Sequence, residues 1–326
     1  MNAGPAMNGS RALVTGGAGA IGSHVVDALL EAGATEVRVL DLPGARWDAN
    51  LAAALATGRV TRVVGDVRDR AAVDSAVDGV DLVFHQAAMR VAHCAEDPRR
   101  AHETMADGTF HVVHAAAASG VSKLVMASSA AVYGPDGDAD LPESARTDRT
   151  DSTYAALKAY GEALLRSYGR TLPSVALRYF NVYGPRVVGE GPHAEVLVRW
   201  MQRIDANEAP TIDGDGRQEV DLVYVEDVAR ANVLAATTTS THRSFNVGTG
   251  RGRSLNDVAA ALLQAMGSDL AVAHGPPRRI NAARRRVADT ALAASELGFR
   301  AAVPLEDGLA RLVDWWSEAG ASTGDP

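Results

Sequence analysis

Short apolar segments alternate with longer segments of helical period through the first half of the chain. The apolar segments are rich in Val and Leu and are bounded by turn residues, which is typical of buried parallel strands. They lie at residues 11–15, 37–40, 62–64, 82–84 and 123–127. The intervening Ala-rich segments of helical period lie at residues 21–31, 71–77 and 99–119. This alternation predicts an α/β fold with a doubly wound parallel sheet and right-handed crossover helices.

The alternation continues into the second half and then changes. We expect a long helix over residues 152–169 and a sixth strand over 174–178. After Asn181, a loop rich in Gly and Pro precedes an amphipathic helix near 194–204, a turn at 213–216, a strand over 219–225 and a helix over 226–237. The expected organisation is a main domain over residues 11–180, to which 219–240 return, and a smaller α/β lobe over 181–218 and 241–320. Residues 1–10 and 321–326 are expected to be flexible tails.

Composition and charge limit the classes of partner. With 47% hydrophobic residues among 326, the chain can bury a full-sized core. The formal net charge is −8 and the basic residues are dispersed except near 278–286, so we expect no nucleic-acid partner. The chain begins without the apolar run of a signal peptide, and no apolar stretch is long enough to span a bilayer, so we expect no membrane association. Cys94 is the only cysteine, which excludes a Cys-based zinc site, and we expect no metal and a cytoplasmic location.

A glycine-rich segment at residues 15–22 joins the first predicted strand to the first helix. Glycines there permit a tight turn and let the backbone approach a pyrophosphate, while the helix N-terminus offers unpaired N–H groups to the phosphates. We therefore expect a Rossmann-type dinucleotide site that uses Gly16, Gly19, Ala20 and Ile21.

Polar or small residues stand at the ends of the next three predicted strands, where open α/β sheets bind ligands. Asp41 is placed to accept hydrogen bonds from the adenosine ribose and to repel a 2′-phosphate, which favours NAD over NADP; alternatively, it is only a polar strand end. Asp66 is placed to meet the adenine amino group. The further expected cofactor contacts in this region are Val67, Ala87, Ala88 and Arg90.

Tyr154 and Lys158 lie four residues apart on a predicted helix and so share one face, and Ser129 follows the fifth strand. A phenol acts as a base at neutral pH only if its pKa falls by ~3 units, which takes roughly 4 kcal/mol of preferential stabilisation of the anion. A nearby ammonium and a nicotinium ring could supply this stabilisation. Ser129 would then hydrogen-bond to the reacting oxygen. Tyr and Lys also occur at this spacing by chance, but the upstream nucleotide motif favours a catalytic pair.

These motifs resemble those of the extended short-chain dehydrogenases/reductases in the NAD-dependent epimerase/dehydratase family. Further segments that carry the resemblance are residues 128–134, 178–186, 214–225 and 246–250, so that it covers nearly the whole chain. The resemblance implies that Tyr154 is the catalytic base, that Lys158 is its partner and that Ser129, four positions before Tyr133, is the catalytic serine. It also implies that Tyr154 and Lys158 contact the cofactor, that Phe180 and Val182 lie near the nicotinamide, and that Ser129 and Asn181 meet the substrate.

Ala130 and Ala131 bear on the type of reaction. Dehydratases of the family carry Thr-Asp-Glu after the fifth strand, and decarboxylases usually carry a Glu two positions before the Tyr of the VYG motif; here both acidic positions are alanine. Since alanine cannot transfer protons, a reaction that needs only hydride transfer is favoured. The resemblance implies 4-epimerisation of a nucleotide-diphosphate sugar through a 4-keto sugar, as in UDP-glucose/UDP-galactose 4-epimerase. The sugar is either of the UDP-glucose/galactose type or a UDP-linked uronate or N-acetylhexosamine. The alternatives are a sugar-nucleotide 4-ketoreductase or dehydrogenase and a non-catalytic NAD-binding scaffold.

The expected substrate contacts depart from the family pattern. Val220 stands where related UDP-sugar epimerases carry an Arg, with Arg217 as a candidate substitute. Arg279 matches an arginine that contacts the nucleotide diphosphate, but the acidic residue expected three positions later is Ala282. Arg90 would either recognise a carboxylate, as on a uronate, or make a phosphate or surface contact.

The arginines at 278–279 and 284–286 have two interpretations. One is a clamp for a diphosphate, and the other is a solvated loop. The resemblance also implies a homodimer joined by the helices over 99–119 and 152–169 in a four-helix bundle. Their Ala-rich faces agree with such packing, although burial within one subunit would also explain them.

Overall fold

The computed structural model describes residues 7–135, 139–187, 196–241, 243–276 and 284–322. The strands are β1 (Arg11–Thr15), β2 (Glu36–Asp41), β3 (Val60–Val64), β4 (Leu82–His85), β5 (Lys123–Ser129), β6 (Ser174–Tyr179), β7 (Asn181–Tyr183), β8 (Thr211–Asp213), β9 (Glu219–Val220), β10 (Leu222–Tyr224), β11 (Arg243–Val247), β12 (Arg253–Ser254), β13 (Ala273–Gly275) and β14 (Arg285–Arg286). The α-helices are α1 (Ala20–Glu31), α2 (Trp47–Ala56), α3 (Arg70–Val77), α4 (Val91–Glu96), α5 (Pro98–His102), α6 (Gly108–Ala118), α7 (Thr153–Ser167), α8 (Val196–Asp205), α9 (Val225–Thr237), α10 (Leu255–Ala265) and α11 (Leu305–Ser322).

The central element is a seven-stranded sheet with the order β11-β6-β5-β4-β1-β2-β3. All its strands are parallel, and Val14 of β1 is paired with Val39 of β2 on one side and with Phe84 of β4 on the other. The strand order reverses between β1 and β4, which is where a crevice for a ligand forms in a doubly wound sheet. The predicted Rossmann-type fold is therefore confirmed.

Helices cover both faces of the sheet. Successive strand residues point to opposite sides, so a strand in which every residue is apolar has two apolar faces to bury. Val14 packs in one fully buried cluster with Leu29 of α1 and Val228 of α9. Its neighbour Leu13 packs in another cluster with Val112 of α6. This two-sided burial explains why the strands are continuous apolar runs.

The predicted helix over 99–119 is present without a gap over 98–118, but it is not a regular α-helix throughout. It forms as α5, a π-helical turn at Glu103–Asp107 and α6 in succession. Helix α2 was not predicted, and its buried face consists of Trp47, Asn50, Leu51 and Ala54. The polar Asn50 interrupts the apolar stripe that would have marked a helix in the sequence.

A smaller lobe has a core of its own. Trp200 of α8, Leu262 of α10 and Leu309 of α11 are buried there together with Tyr224. Strand β11 lies in the central sheet beside β6, although the sequence pattern placed residues 241–320 in the lobe. Its apolar Phe245 and Val247 complete the buried face of the sheet. We otherwise propose the same division, with 11–180 and 219–240 in the main domain.

No helix in the described part of the chain is long and apolar enough to cross a membrane.

Candidate active site

A cleft of about 480 Å³ opens at the carboxyl ends of the central strands. Every predicted cofactor contact except Phe180 lines it. These residues are Gly16, Gly19, Ala20, Ile21, Asp41, Asp66, Val67, Ala87, Ala88, Arg90, Tyr154, Lys158 and Val182. Other residues that line the cleft were not predicted from the sequence, among them Arg68, Arg100 and Tyr179.

The turn between β1 and α1 requires glycine at two positions. Gly16 has a positive φ of 67°, and a Cβ on it would lie 2.7 Å from the amide nitrogen of Ala87. A Cβ on Gly22 would collide with the carbonyl oxygen of Gly16. Helix α1 begins directly after Gly19 and has no side-chain cap, so its first amides point into the cleft without a capping oxygen. This arrangement fits a diphosphate group.

Asp41 is tied to the same turn. One of its carboxylate oxygens accepts a hydrogen bond from the amide of Ala18 at 2.9 Å, and the other accepts from the amide of Leu42 at 2.8 Å. The carbonyl oxygen of Ala18 accepts from the side-chain amide of Asn50 at 2.8 Å. Burial raises the pKa of Asp41, although these two amides act in the opposite direction. Each carboxylate oxygen has a further lone pair for a ribose hydroxyl.

Asp66 is paired at the end of β3. Its Oδ2 accepts from Nε and Nη2 of Arg68 at 2.9 and 2.7 Å. Burial raises the pKa of Asp66, but the hydrogen bonds and charge of Arg68 outweigh it, so the pKa lies below its ordinary value. Arg100 and Thr104 line the cleft beside this pair.

Lys158 lies at the inner end of the cleft. It is 7% exposed, and its Nζ donates to the carbonyl oxygen of Ala127 at 2.7 Å and lies 5.7 Å from the ring centroid of Tyr154. Burial lowers the pKa of Lys158 to about 8, although Cys94 and Glu162 act in the opposite direction. Such an ammonium can stabilise a negative charge on the neighbouring phenol oxygen.

Ser129 ends β5 and begins the next turn. Its hydroxyl accepts from the amide of Ala131, which caps a short helical turn at Ala130–Tyr133. Ala127 and Ser128, the two residues before it, line the cleft. The strand end thus brings Ser129 to the same edge of the sheet as Tyr154 and Lys158.

The predicted substrate contacts are more scattered. Asn181 is exposed, and its side-chain amide donates to the carbonyl oxygen of Asp221 at 3.1 Å. The buried carboxylate of Asp221 accepts from Thr249, Gly250 and Ala288, so that Asp221 joins three segments of the chain. Arg217 is exposed in the turn before β9.

Three further predictions concern residues away from the cleft or outside the described parts. Phe180 is 3% exposed and packs against Tyr133, with ring centroids 6.4 Å apart, and it does not line the cleft. Arg279 lies outside the described residues, as do Arg278 and Ala282. In the second arginine group, Arg285 pairs with Asp140 and Arg286 donates to the carbonyl oxygen of Gly134.

The sequence analysis also missed Glu162, which lies buried next to this site. It follows Lys158 by one helical turn, as Lys158 follows Tyr154, and it accepts a hydrogen bond from Ser128 at 2.6 Å. The repeated spacing of four residues was the signal that could have identified it.

Comparison with known proteins agrees with this geometry. The model of the NAD dependent epimerase/dehydratase family matches residues 12–248. The chain is 33% identical to UDP-glucose 4-epimerase of Mycolicibacterium smegmatis, over 94% of this chain and 98% of that one.

Solved structures give the same result. UDP-glucose 4-epimerase of Thermus thermophilus in complex with NAD is similar with a TM-score of 0.83 and 35% identity, over 95% of this chain and 99% of that one. The dTDP-glucose 4,6-dehydratase from Streptomyces venezuelae, with NAD bound, is similar with a TM-score of 0.87 and 31% identity, over 96% and 98% of the two chains.

The expectation of an NAD-dependent enzyme that resembles UDP-glucose 4-epimerase is therefore confirmed at the level of the family. The chain belongs to the NAD-dependent epimerase/dehydratase family, and NAD is its cofactor.

Proposed function

We propose that the protein is a 4-epimerase of a nucleotide-diphosphate sugar that works through transient oxidation at C4. The observation that carries the proposal is that Tyr154 and Lys158 line the cleft together, while Ser129 ends β5 at the same edge of the sheet and is followed by Ala130 and Ala131. When bound, NAD accepts a hydride from the sugar carbon and returns it.

In this proposal Tyr154 removes the proton of the sugar 4-hydroxyl and later gives a proton back to the 4-keto oxygen. Lys158 stabilises the phenolate, because its buried ammonium lies beside the ring and is held by Ala127. Ser129 donates a hydrogen bond to the same sugar oxygen. The keto sugar must turn over in the site so that the hydride returns to its opposite face.

The two alanines support epimerisation over elimination of water. Ala130 is buried and Ala131 half-buried directly after Ser129, and neither can donate or accept a proton. A dehydratase must protonate a leaving hydroxyl, so it needs an acid at such a position. The similarity to a dTDP-glucose 4,6-dehydratase is thus a similarity of fold and cofactor site, on our proposal, and not of reaction.

The substrate contacts proposed from the sequence are Arg90, Ser129, Asn181, Arg217 and Arg279. Arg90 lines the cleft, and Asn181 is exposed with its side chain oriented by Asp221. A guanidinium at Arg90 can bind either a phosphate or the carboxylate of a uronate. We therefore include UDP-glucose, UDP-N-acetylglucosamine and UDP-glucuronate as candidate substrates.

The test is incubation of the pure protein with each of these three sugars, without added NAD, followed by chromatography. Conversion of any one to its 4-epimer supports the proposal and identifies the sugar. A net oxidised or reduced product that appears only with added cofactor would instead indicate a dehydrogenase or ketoreductase. If these sugars and the GDP-, dTDP- and CDP-sugars all return unchanged, the proposal is wrong.

We further propose a homodimer formed through α6 and α7. Phe110 of α6 is 41% exposed and Tyr160 of α7 is 39% exposed, so both helices present a large aromatic side chain that is not buried within one subunit. Phe110 stacks on His114, whose ring is hydrogen-bonded to the phenol of Tyr168 at 3.0 Å. An aromatic face of this kind suits a partner helix pair. A cytoplasmic location agrees with the single, unpaired Cys94.

A further inference from the structure

Helix α7 presents three functional groups on one face towards the end of β5. Tyr154, Lys158 and Glu162 are spaced by four residues each and so lie above one another. Lys158 Nζ donates to the carbonyl oxygen of Ala127 at 2.7 Å, and Ser128 Oγ donates to Glu162 Oε1 at 2.6 Å. These two hydrogen bonds involve consecutive residues of β5, and Ser129 comes next.

Glu162 is held rigidly from the other side. It is 2% exposed, and Arg178 of β6 binds both its oxygens, with Nε 2.8 Å from Oε1 and Nη2 2.7 Å from Oε2. Ser244 of β11 donates to Oε2 at 3.0 Å. A bidentate pair between a guanidinium and a carboxylate fixes both distance and orientation.

The surroundings of Glu162 favour the charged form of its carboxyl group. Burial alone would raise the pKa of Glu162, but the hydrogen bonds and charge of Arg178, with the two serine hydroxyls, hold it below its ordinary value. Glu162 therefore stays ionised at neutral pH and accepts all four hydrogen bonds. Arg178 in turn donates to the phenol of Tyr133 at 2.9 Å, which lies at the end of the turn after Ser129.

We propose that Glu162 is a positioning residue, which through Ser128 fixes the end of β5 against α7 and so sets the geometry between Ser129 and the Tyr154–Lys158 pair. This inference rests on the proposed roles of those three residues. Without the bond from Ser128, the strand end loses its hydrogen bond to Glu162 and keeps the one from Lys158 to Ala127. Proton transfer depends steeply on such distances, since misplacement by about 1 Å can cost about 100-fold in rate.

The chain offers a matched pair of variants for the test. Ser128→Ala and Ser244→Ala each remove one hydroxyl donor from the same carboxylate, but only Ser128 belongs to the strand that carries Ser129. We expect Ser128→Ala to lower kcat about tenfold with KM changed less than about twofold, since transition-state geometry and not substrate binding is affected. Ser244→Ala should leave both constants within about twofold while Tm falls by a similar amount in both variants. Ser128→Cys, which keeps the shape but weakens the donor, should lie between wild type and Ser128→Ala.

Equal losses of kcat in Ser128→Ala and Ser244→Ala, or no loss in Ser128→Ala, would overturn the proposal. A second measurement needs no sugar and so separates this inference from the proposed reaction. In crystal structures of the two variants, the distance from Lys158 Nζ to the oxygen of Ala127 should exceed about 3.5 Å in Ser128→Ala and stay at hydrogen-bond length in Ser244→Ala. If that bond is retained in both variants, Glu162 is only a structural residue.

Discussion

The ammonium of Lys158 lies 2.7 Å from the carbonyl oxygen of Ala127, to which it donates a hydrogen bond. The bond connects the middle of α7 to the end of β5, two residues before Ser129. Because Tyr154 lies one helical turn before Lys158, the same contact places its ring at the inner end of the cleft. The proposed proton chemistry and the predictions below depend on this junction between one helix and one strand.

Removal of the Tyr154 phenol should abolish turnover without emptying the cofactor site. For Tyr154→Phe we expect kcat to fall by at least about 100-fold, because the proton of the sugar hydroxyl then has no acceptor. NAD released on denaturation should be unchanged, as measured by absorbance. Tyr160→Phe, which removes an exposed phenol from the same helix, is the control and should keep wild-type kcat. Equal activity in the two variants would exclude Tyr154 as the base.

The rate should decrease at alkaline pH because of Lys158. Burial lowers the pKa of Lys158 from 10.5 to about 8, so the ammonium is present below that pH and is lost above it. We therefore expect kcat/KM to fall as pH rises through about 8. The plot of log(kcat/KM) against pH should have the slope that corresponds to loss of a single proton. In Lys158→Arg the side chain stays charged throughout, so a slower enzyme without this alkaline decrease is expected. A wild-type profile that is flat from about pH 7 to 10 would contradict the assignment.

Asp41 should determine the preference for NAD over NADP. In Asp41→Asn the repulsion of a 2′-phosphate is lost while one acceptor oxygen remains, so the ratio of NADP to NAD affinity should rise by about tenfold or more. Calorimetric titration of the protein stripped of cofactor measures both affinities. Asp48→Asn neutralises an exposed carboxylate on α2, away from the cleft lining, and should leave the ratio unchanged. An unchanged ratio in Asp41→Asn would mean that Asp41 is only a polar strand end.

Phe110 should contribute to the subunit interface. Phe110→Glu places a charge in the proposed apolar contact and should shift the protein towards monomer in sedimentation experiments. Val64→Glu is the control, because Val64 is 59% exposed on the edge strand β3 and does not belong to α6 or α7. A wild-type protein that sediments as a monomer would refute the proposed dimer directly.

The sheet and the cofactor cleft could be predicted because their signals are local. Buried strands appear as apolar runs, and the glycine-rich motif of the cofactor turn is a contiguous segment at residues 15–22. The spacing of four residues between Tyr154 and Lys158 likewise predicts that both side chains lie on the same face of α7. Helix α2 was missed because Asn50 faces inward to bind Ala18, so its buried face is not uniformly apolar.

The contacts that support the site could not be predicted in the same way. Glu162 and Arg178 are in different elements, and their pairing depends on how α7 packs on β6. Asp221 likewise meets Thr249 and Ala288 only after the lobe has folded. The position of β11 in the main sheet could not be predicted either, because the sequence pattern of a strand does not specify which strand it pairs with.

The most direct test of the proposed reaction follows the hydrogen on C4. The sugar nucleotide identified by chromatography would be labelled with deuterium at C4 and incubated with the protein in ordinary water, and the product examined by NMR. Transient oxidation at C4 predicts a product of inverted configuration that keeps its deuterium at C4. Inversion with replacement of the deuterium by solvent hydrogen, or recovery of labelled sugar with its configuration unchanged, would contradict the proposed reaction.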